Sequence, residues 1–332
     1  MIILGIETSC DETGVAVYNS NTGFFIDKIY SQINISKKYG GTVPELSSRD
    51  HTKKLLSLIL LTLKESNIKL KDITGIAYTK GPGLTGSLFT GTSLAKSLAL
   101  SLNIPAIGIN HLEAHILINM LYNKSLDFPF IALLISGAHT AFIKVNSFDD
   151  YILMGETIDD GIGETFDKIS RLLKLKHIGG KYIENISNSN KKFYNYNFPK
   201  ALMNKNCFDF SFSGLKTSVS NKIYNENLNF KDIPNFAYNF QNTLIKIVSK
   251  KCINILIKTK ITSLVIAGGV SANKQLRKEL IIITDSLGVK FYLSPIKFCT
   301  DNGVMIAFCG YIKFKMKKMD KELCIDVFHK SN

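Results

Sequence analysis

Ile2-Ile-Leu-Gly-Ile-Glu7, Thr8-Ser-Cys-Asp-Glu-Thr13 and Gly14-Val-Ala-Val-Tyr18 read as an apolar strand, a polar turn and a second apolar strand. The unit returns as Phe130 to Ile135, the turn Ser136-Gly-Ala-His-Thr140, and Ala141 to Val145. Short apolar runs bounded by small polar residues are strand signals, and such a turn can aim backbone N–H groups and hydroxyls at a phosphate. The later parts of each half also correspond. Ile73 to Tyr78 reads as a strand, followed by Gly81-Pro-Gly83, a helix from about Thr85 to Leu102, the strand Ile104 to Ile109 and a helix carrying His111. In the second half Ser263 to Ala267 is a strand. After it come Gly268-Gly269, a helix from about Ala272 to Thr284, the strand Lys290 to Leu293 and a helix opening at Asp301-Asn-Gly303. Self-similarity of this kind predicts a duplicated α/β fold.

The two C-terminal helices carry the chemistry. On a helix starting at Asn110-His-Leu-Glu-Ala-His115, positions 111 and 115 differ by about 40° around the axis, so both imidazoles can reach one metal ion. Glu113 lies about 200° from His111, away from where the general base of an H-E-x-x-H peptidase must be. The bland alternative is a pair of ordinary helix histidines. Asp301 holds the place in its half that His111 holds in the other, and if the halves face each other the three converge. Two imidazoles and a carboxylate make a divalent-metal site, although an Asp there also suits a helix N-cap.

Other motifs point to a nucleotide. Gly268-Gly269-Val-Ser-Ala-Asn273 joins strand to helix, the glycines allowing close backbone approach and Asn273 offering an amide to an adenine edge. Asp159-Asp-Gly-Ile-Gly-Glu-Thr-Phe-Asp167 is dense in carboxylates. Asp159 and Asp160 read as a helix start near the positive end of its dipole, whereas Asp167 suits either the helix or a pair of ribose hydroxyls. Tyr182 to Asn206, rich in Asn, Lys and Tyr, reads as an exposed connection. Its Lys191, Lys192, Tyr194 and Tyr196 form either a solvated loop or an RNA-stacking surface.

Composition sets the limits. The chain has 332 residues, 45% of them apolar, which suits a globular enzyme of two domains or one duplicated fold. Its net charge is +14, a footprint compatible with nucleic acid. Only three of the 41 basic residues are Arg, so an AT-rich coding bias explains part of that charge. No apolar run is long enough to span a bilayer, the N-terminus does not read as a signal peptide, and six cysteines without C-x-x-C spacing fit a reduced, cytoplasmic chain.

Gly5-Ile-Glu-Thr-Ser-Cys-Asp-Glu-Thr-Gly14, Tyr39-Gly-Gly41, Val43-Pro-Glu-Leu-Ser-Ser-Arg-Asp-His51, His111-Leu-Glu-Ala-His115, Ser211-Phe-Ser-Gly-Leu-Lys-Thr217, Ala267-Gly-Gly-Val-Ser-Ala-Asn273 and Cys299-Thr-Asp-Asn-Gly303 together resemble the tRNA N6-adenosine threonylcarbamoyltransferase family, in its bacterial and organellar form. The resemblance implies the duplicated fold of actin, sugar kinases and heat-shock chaperone ATPase domains, with two lobes around a nucleotide cleft. The lobes would span 1–127, completed by a C-terminal helix at about 302–332, and 128–301, with an insertion near 182–206. The implied activity is transfer of threonylcarbamoyl from threonylcarbamoyl-AMP to N6 of the adenosine 3′ of the anticodon, in tRNAs reading codons that begin with A. The metal ligands would be His111, His115 and Asp301, holding one divalent ion per subunit, Fe2+ first and Zn2+ second. Substrate contacts carry over to Leu134, Ile135, Ser136, Gly137, Ala138, Asp167, Gly180, Glu184 and Asn273. Asp11 and Glu12 are the candidate general bases, with local turn hydrogen bonding as their alternative role. The implied partners are tRNA, a paralogous dimerising subunit and a small P-loop ATPase; the chain has no G-x-x-x-x-G-K-[ST] loop of its own. Two positions depart from the family: Ala138 stands where Gly is usual, and Lys181 where Pro is usual. An actin-like kinase or ATPase, a metallopeptidase and a non-catalytic partner subunit are the competing readings.

Overall fold

The computed structural model describes residues 1–39, 41–175, 179–188, 196–225, 231–322 and 324–329. In chain order its elements begin with strands β1 (Ile2–Glu7), β2 (Glu12–Asn19) and β3 (Phe25–Ser31), helices α1 (Ile33–Tyr39) and α2 (Pro44–Ser66), then β4 (Gly75–Gly81), α3 (Thr85–Leu102), β5 (Ala106–Asn110) and α4 (His111–Tyr122). There follow β6 (Phe130–Ile135), β7 (Thr140–Ser147), β8 (Asp150–Glu156), α5 (Ile162–Leu172), α6 (Gly180–Ser187), α7 (Ser213–Asn225) and α8 (Ile233–Thr259). The chain ends with β9 (Ser263–Ala267), α9 (Lys274–Ser286), β10 (Lys290–Leu293) and α10 (Gly303–Lys315).

The chain divides into Met1–Tyr122 with Thr300–Asn332, and Asn123–Cys299. The first unit contains a sheet of order β3-β2-β1-β4-β5, and the second one of order β8-β7-β6-β9-β10. In each, two antiparallel pairings are followed by two parallel ones. The same order and the same pairing senses make the duplication a structural fact. β1 and β6, central in both sheets, are almost wholly buried, which explains their continuous apolar sequence. β3 and β8 are edge strands with mixed burial, and no simple alternation betrays them.

Three boundaries differ from those read in the sequence. Asp301 belongs with the first unit, because α10 packs on β1, β2, β4 and α4. That packing needs glycines: a Cβ on Gly5 would stand 2.4 Å from the Gly303 carbonyl, and one on Gly303 would stand 2.4 Å from the Ala16 nitrogen. The C-terminal helix stops at Lys315, since Lys317 adopts φ 60°, and the following chain turns back so that the Asp320 N–H donates to the Ala106 carbonyl. The segment read as an exposed insertion is partly exposed, with Asn188, Asn197, Lys200 and Lys205 open to solvent, and partly anchored. Gly180–Ser187 is helical with Ile183 buried, and Phe198 lies in the core. Lys191, Lys192 and Tyr194 lie outside the described residues. Tyr196 packs edge-on against Phe236 and stacks on Phe198, so its ring serves the core. Among the described residues no helix is long and apolar enough to cross a membrane, and all six cysteines are free of disulfides.

Candidate functional site

In the first unit, β5 delivers the chain into α4, whose first two turns present His111 and His115. Asn110 caps that turn, its Oδ1 accepting from the N–H groups of Leu112 and Glu113. Asn302, and not Asp301, caps α10 by accepting from the Met305 N–H, which leaves the Asp301 carboxylate for another use. Asp301 Oδ1 stands 3.1 Å from His115 Nε2 and 3.5 Å from His111 Nε2, and the candidate ligand atoms of the three residues lie within 4.8 Å of one another. Ligand atoms about 2.1 Å from a common ion stand about 3.0–3.5 Å apart at tetrahedral or octahedral angles, so these residues fit a divalent ion.

Glu7, which the sequence reading passed over, completes the arrangement. It is fully buried, closes β1, and accepts from the Thr79 hydroxyl, from the Ser9 N–H at 2.6 Å and from His111 Nδ1 at 3.1 Å. A carboxylate behind a histidine fixes the tautomer whose Nε2 lone pair faces the ion. His115 has no such support: its buried Nδ1 has no hydrogen-bond partner. The one available signal for Glu7 was an acid ending an otherwise apolar strand. Burial alone pulls the His111 imidazole down, but the carboxylates of Glu7 and Asp301 outweigh it and hold it at about 9. Burial would raise Asp301, yet the two imidazoles keep it well below the usual carboxylate range. Glu113 forms an ion pair with Lys313 at 2.7 Å, so the residue a peptidase would need is engaged elsewhere.

The first hairpin turn carries the candidate bases. Glu12 opens β2, and burial first, then the carboxylates of Asp301, Asp11, Glu7 and Asp27, push it up to about 8. The Asp11 carbonyl accepts from the Gln32 N–H. His51 holds the turn from α2, with Nδ1 2.7 Å from the Thr13 hydroxyl and Nε2 3.0 Å from the Cys10 carbonyl; burial lowers its pKa.

The second unit brings together the residues expected to bind substrate. Leu134 and Ile135 are completely buried in β6, so their side chains serve the core. Ser136 to His139 form a closed turn, in which the Ser136 N–H donates to the His139 carbonyl and the His139 N–H to the Ser136 hydroxyl. The start of α5 lies against this turn: a Cβ on Gly161 would stand 2.6 Å from the Gly137 carbonyl, and one on Gly163 2.6 Å from that of Ser136. Asp167 lies on α5, and Gly179 beside it adopts φ 119° before Gly180 opens α6. Ala138 is not among the residues with positive φ. Ala138→Gly is therefore expected to lose about 0.5–1 kcal/mol through chain entropy with nucleotide affinity unchanged. Denaturant unfolding checks this, and a gain in stability would show a strained Ala138. Lys181 lies in the first turn of α6.

Two of the expected nucleotide contacts also hold a helix start, and Asp159 serves a helix other than the one expected. Asn273 caps α9, its Oδ1 accepting from the Leu276 N–H, while its Nδ2 donates to Gln241. Buried Glu184 accepts from the N–H groups of Lys274 and Gln275 at the same helix start. Asp159 serves α7, not α5, by accepting from the N–H groups of Phe212 and Ser213 and the hydroxyls of Ser211 and Ser213. Asp160 pairs with Lys168 and Lys216. Burial would raise Asp159, but those hydrogen bonds lower it from 3.8 to about 2. Its stabilisation is thus present above about pH 4 and fades as pH falls through about 2. Asp159→Ala should cost about 1 kcal/mol at pH 7, and that difference from the parent should shrink towards zero between pH 4 and 2 in urea unfolding.

A family model described as tRNA N6-adenosine threonylcarbamoyltransferase matches residues 24–308. Proteins of that name from Francisella tularensis subsp. mediasiatica (strain FSC147) and subsp. novicida (strain U112) are each 45% identical over 330 residues, 98% of this chain and 98% of theirs. Among solved structures, HypF of T. kodakarensis superposes with a TM-score of 0.62 at 13% identity over 95% of this chain; the match spans 48% of the HypF chain. Component A of (R)-2-hydroxyglutaryl-CoA dehydratase from Acidaminococcus fermentans gives 0.55 at 15% identity over 96% of this chain and 100% of its own. At these identities the structures establish the fold alone, a duplicated actin-like ATPase fold.

Proposed function

We propose that this chain, which belongs to the tRNA N6-adenosine threonylcarbamoyltransferase family, transfers a threonylcarbamoyl group to N6 of an adenosine in tRNA. The observation that carries this is the identity to named transferases along 98% of both chains. The donor is threonylcarbamoyl-AMP, and the target is the adenosine 3′ of the anticodon in tRNAs reading codons that begin with A. A kinase or ATPase reading rests on the fold alone, which does not fix function. A peptidase reading lacks its base, since Glu113 is paired with Lys313.

The reaction is acyl transfer from a mixed anhydride. The N6 amine attacks the carbamoyl carbon, the bond from that carbon to the phosphate oxygen breaks, AMP leaves with the electron pair, and N6 sheds a proton. An exocyclic amine is a weak nucleophile, so orientation and charge stabilisation supply most of the rate. His111, His115 and Asp301 would hold one divalent ion, Fe2+ or Zn2+, and when bound it supplies Lewis-acid stabilisation of negative charge on the donor. Glu7 orients His111. The Ser136–Ala138 turn is assigned to the phosphate, and Asn273, Glu184, Gly180 and Asp167 to the nucleoside. Asp11 and Glu12, at the first hairpin turn, are the candidates for accepting the N6 proton.

A protein partner fits α2. Leu56 and Leu60, 53% and 59% exposed, lie one turn apart beside exposed Leu61, and Phe89 is exposed on α3, which packs against α2. An apolar surface of this kind marks an interface. We assign it to the paralogous dimerising subunit, with the small P-loop ATPase as a further partner and the cytoplasm as the compartment. Nucleoside mass spectrometry of tRNA incubated with the chain, its partners and threonylcarbamoyl-AMP tests the function. Adenosine left unmodified in tRNAs reading A-starting codons would overturn it.

A further inference from the structure

We propose that Gln241 is a positioning residue that makes Asn273 a hydrogen-bond donor to the bound nucleotide, which deepens the reading of Asn273 as a nucleoside contact and rests on it. Gln241 lies in α8 and is wholly buried. Its Nε2 donates to the Ser187 hydroxyl at 3.2 Å and to Gln275 Oε1, and its Oε1 accepts from Asn273 Nδ2 at 2.9 Å. One amide therefore ties the end of α6 to the start of α9. Glu184, one turn before Ser187, caps the same α9 start.

The network also removes the usual ambiguity of an amide's two ends. Turning the Asn273 amide over would set its oxygen against Gln241 Oε1 and its NH2 against the Leu276 N–H, trading two attractive contacts for two repulsive ones. Turning Gln241 over would break its bonds to Gln275 and Asn273 together. Each orientation fixes the other. Asn273 Oδ1 is committed to the helix, one amide proton is committed to Gln241, and the second proton remains. An amide proton left over when its own oxygen is committed gains most from an acceptor brought by a ligand. The chemistry that fits is a ring nitrogen of adenine, an acceptor, and not its exocyclic amine, a donor.

The test is calorimetric titration of the full chain with AMP and, separately, with ribose 5-phosphate, which lacks the base. Gln241→Met keeps the side chain's length and removes its polarity. It should weaken AMP about tenfold and leave ribose 5-phosphate within twofold. Gln241→Glu keeps an acceptor for Asn273 but loses the donor to Gln275, and should recover part of the AMP affinity lost in Gln241→Met. Asn273→Asp keeps the helix cap, loses the amide protons, and should weaken AMP by a similar factor. In that background Gln241→Met should add less than twofold. A panel of 1-, 3- and 7-deaza-AMP should contain one analogue that binds the parent about tenfold more weakly than AMP, but binds Asn273→Asp as AMP does. Equal loss of AMP and ribose 5-phosphate in Gln241→Met, or additive effects in the double variant, would reduce Gln241 to a packing role and overturn the proposal. Unchanged AMP affinity in Asn273→Asp would overturn it by removing Asn273 from the nucleotide site, leaving the transfer activity itself untouched.

Discussion

His111→Ala is expected to purify with less than about a tenth of an equivalent of divalent metal, where the parent holds about one, and to transfer at less than about one-hundredth of the parental rate. The reason lies in the donor set. His111, His115 and Asp301 would supply three protein ligands, and losing one would leave a two-ligand site that binds a divalent ion weakly. Glu7→Gln should produce a smaller loss in the same direction. It keeps the size of the side chain but removes the charge behind His111, a change that costs about 10–100-fold in metal affinity in comparable sites. His115, with no partner on Nδ1, offers no second carboxylate to compensate. Elemental analysis of the purified proteins, followed by titration of metal-free protein with Fe2+ or Zn2+, separates the two variants. Stoichiometric metal in His111→Ala would remove His111 from the site, whatever happens to the activity.

The duplication was legible because the hairpins β1–β2 and β6–β7 lie at the buried centres of their sheets, where apolar runs are unbroken. The edge strands β3 and β8 pair with a neighbouring strand on one side only, and their mixed residues carry no period strong enough to announce them. Matching the halves placed Asp301 opposite His111 in the repeat, and the three side chains do come together, but within the first unit and not across facing halves. The boundary drawn after Asp301 fell two residues late, because Asp301 leads into the helix that covers the first sheet. Gly5 and Gly303 let that helix, α10, approach β1 and β2. The capping roles of Glu184 and Asp159 were invisible for a related reason: each serves a helix far along the chain, Glu184 the start of α9 and Asp159 the start of α7. Glu7 was within reach, since a carboxylate at the end of a buried strand must find donors, and Thr79, Ser9 and His111 are those donors. The Asn- and Lys-rich composition around Tyr182 to Asn206 suggested solvent, yet Ile183 and Phe198 were the apolar anchors that tie its ends to the core.

The isolated chain, given threonylcarbamoyl-AMP and unmodified tRNA, should form about one modified nucleoside per molecule or fewer, and adding the paralogous subunit and the small ATPase should restore repeated turnover. Two features motivate this. The chain has no P-loop of its own, and α2 carries a stripe of leucines that a protein standing alone gains nothing by exposing. Leu56→Glu with Leu60→Glu places charge on that stripe. Both side chains are more than half exposed, so the fold should change by no more than about 0.5 kcal/mol per site. A desolvated carboxylate without a partner, by contrast, is costly inside an interface. The double variant should therefore keep its thermal midpoint, lose the complex in size-exclusion chromatography, and show no gain in turnover when the partners are added. Single-turnover product formation, which needs only the site within the chain, should stay near the parental level. Sustained turnover by the isolated parent would refute the dependence on partners while leaving the transfer chemistry in place. A double variant that still forms the complex would move the partner surface away from α2, because two buried charges at the centre of an interface cannot be absorbed without loss of affinity.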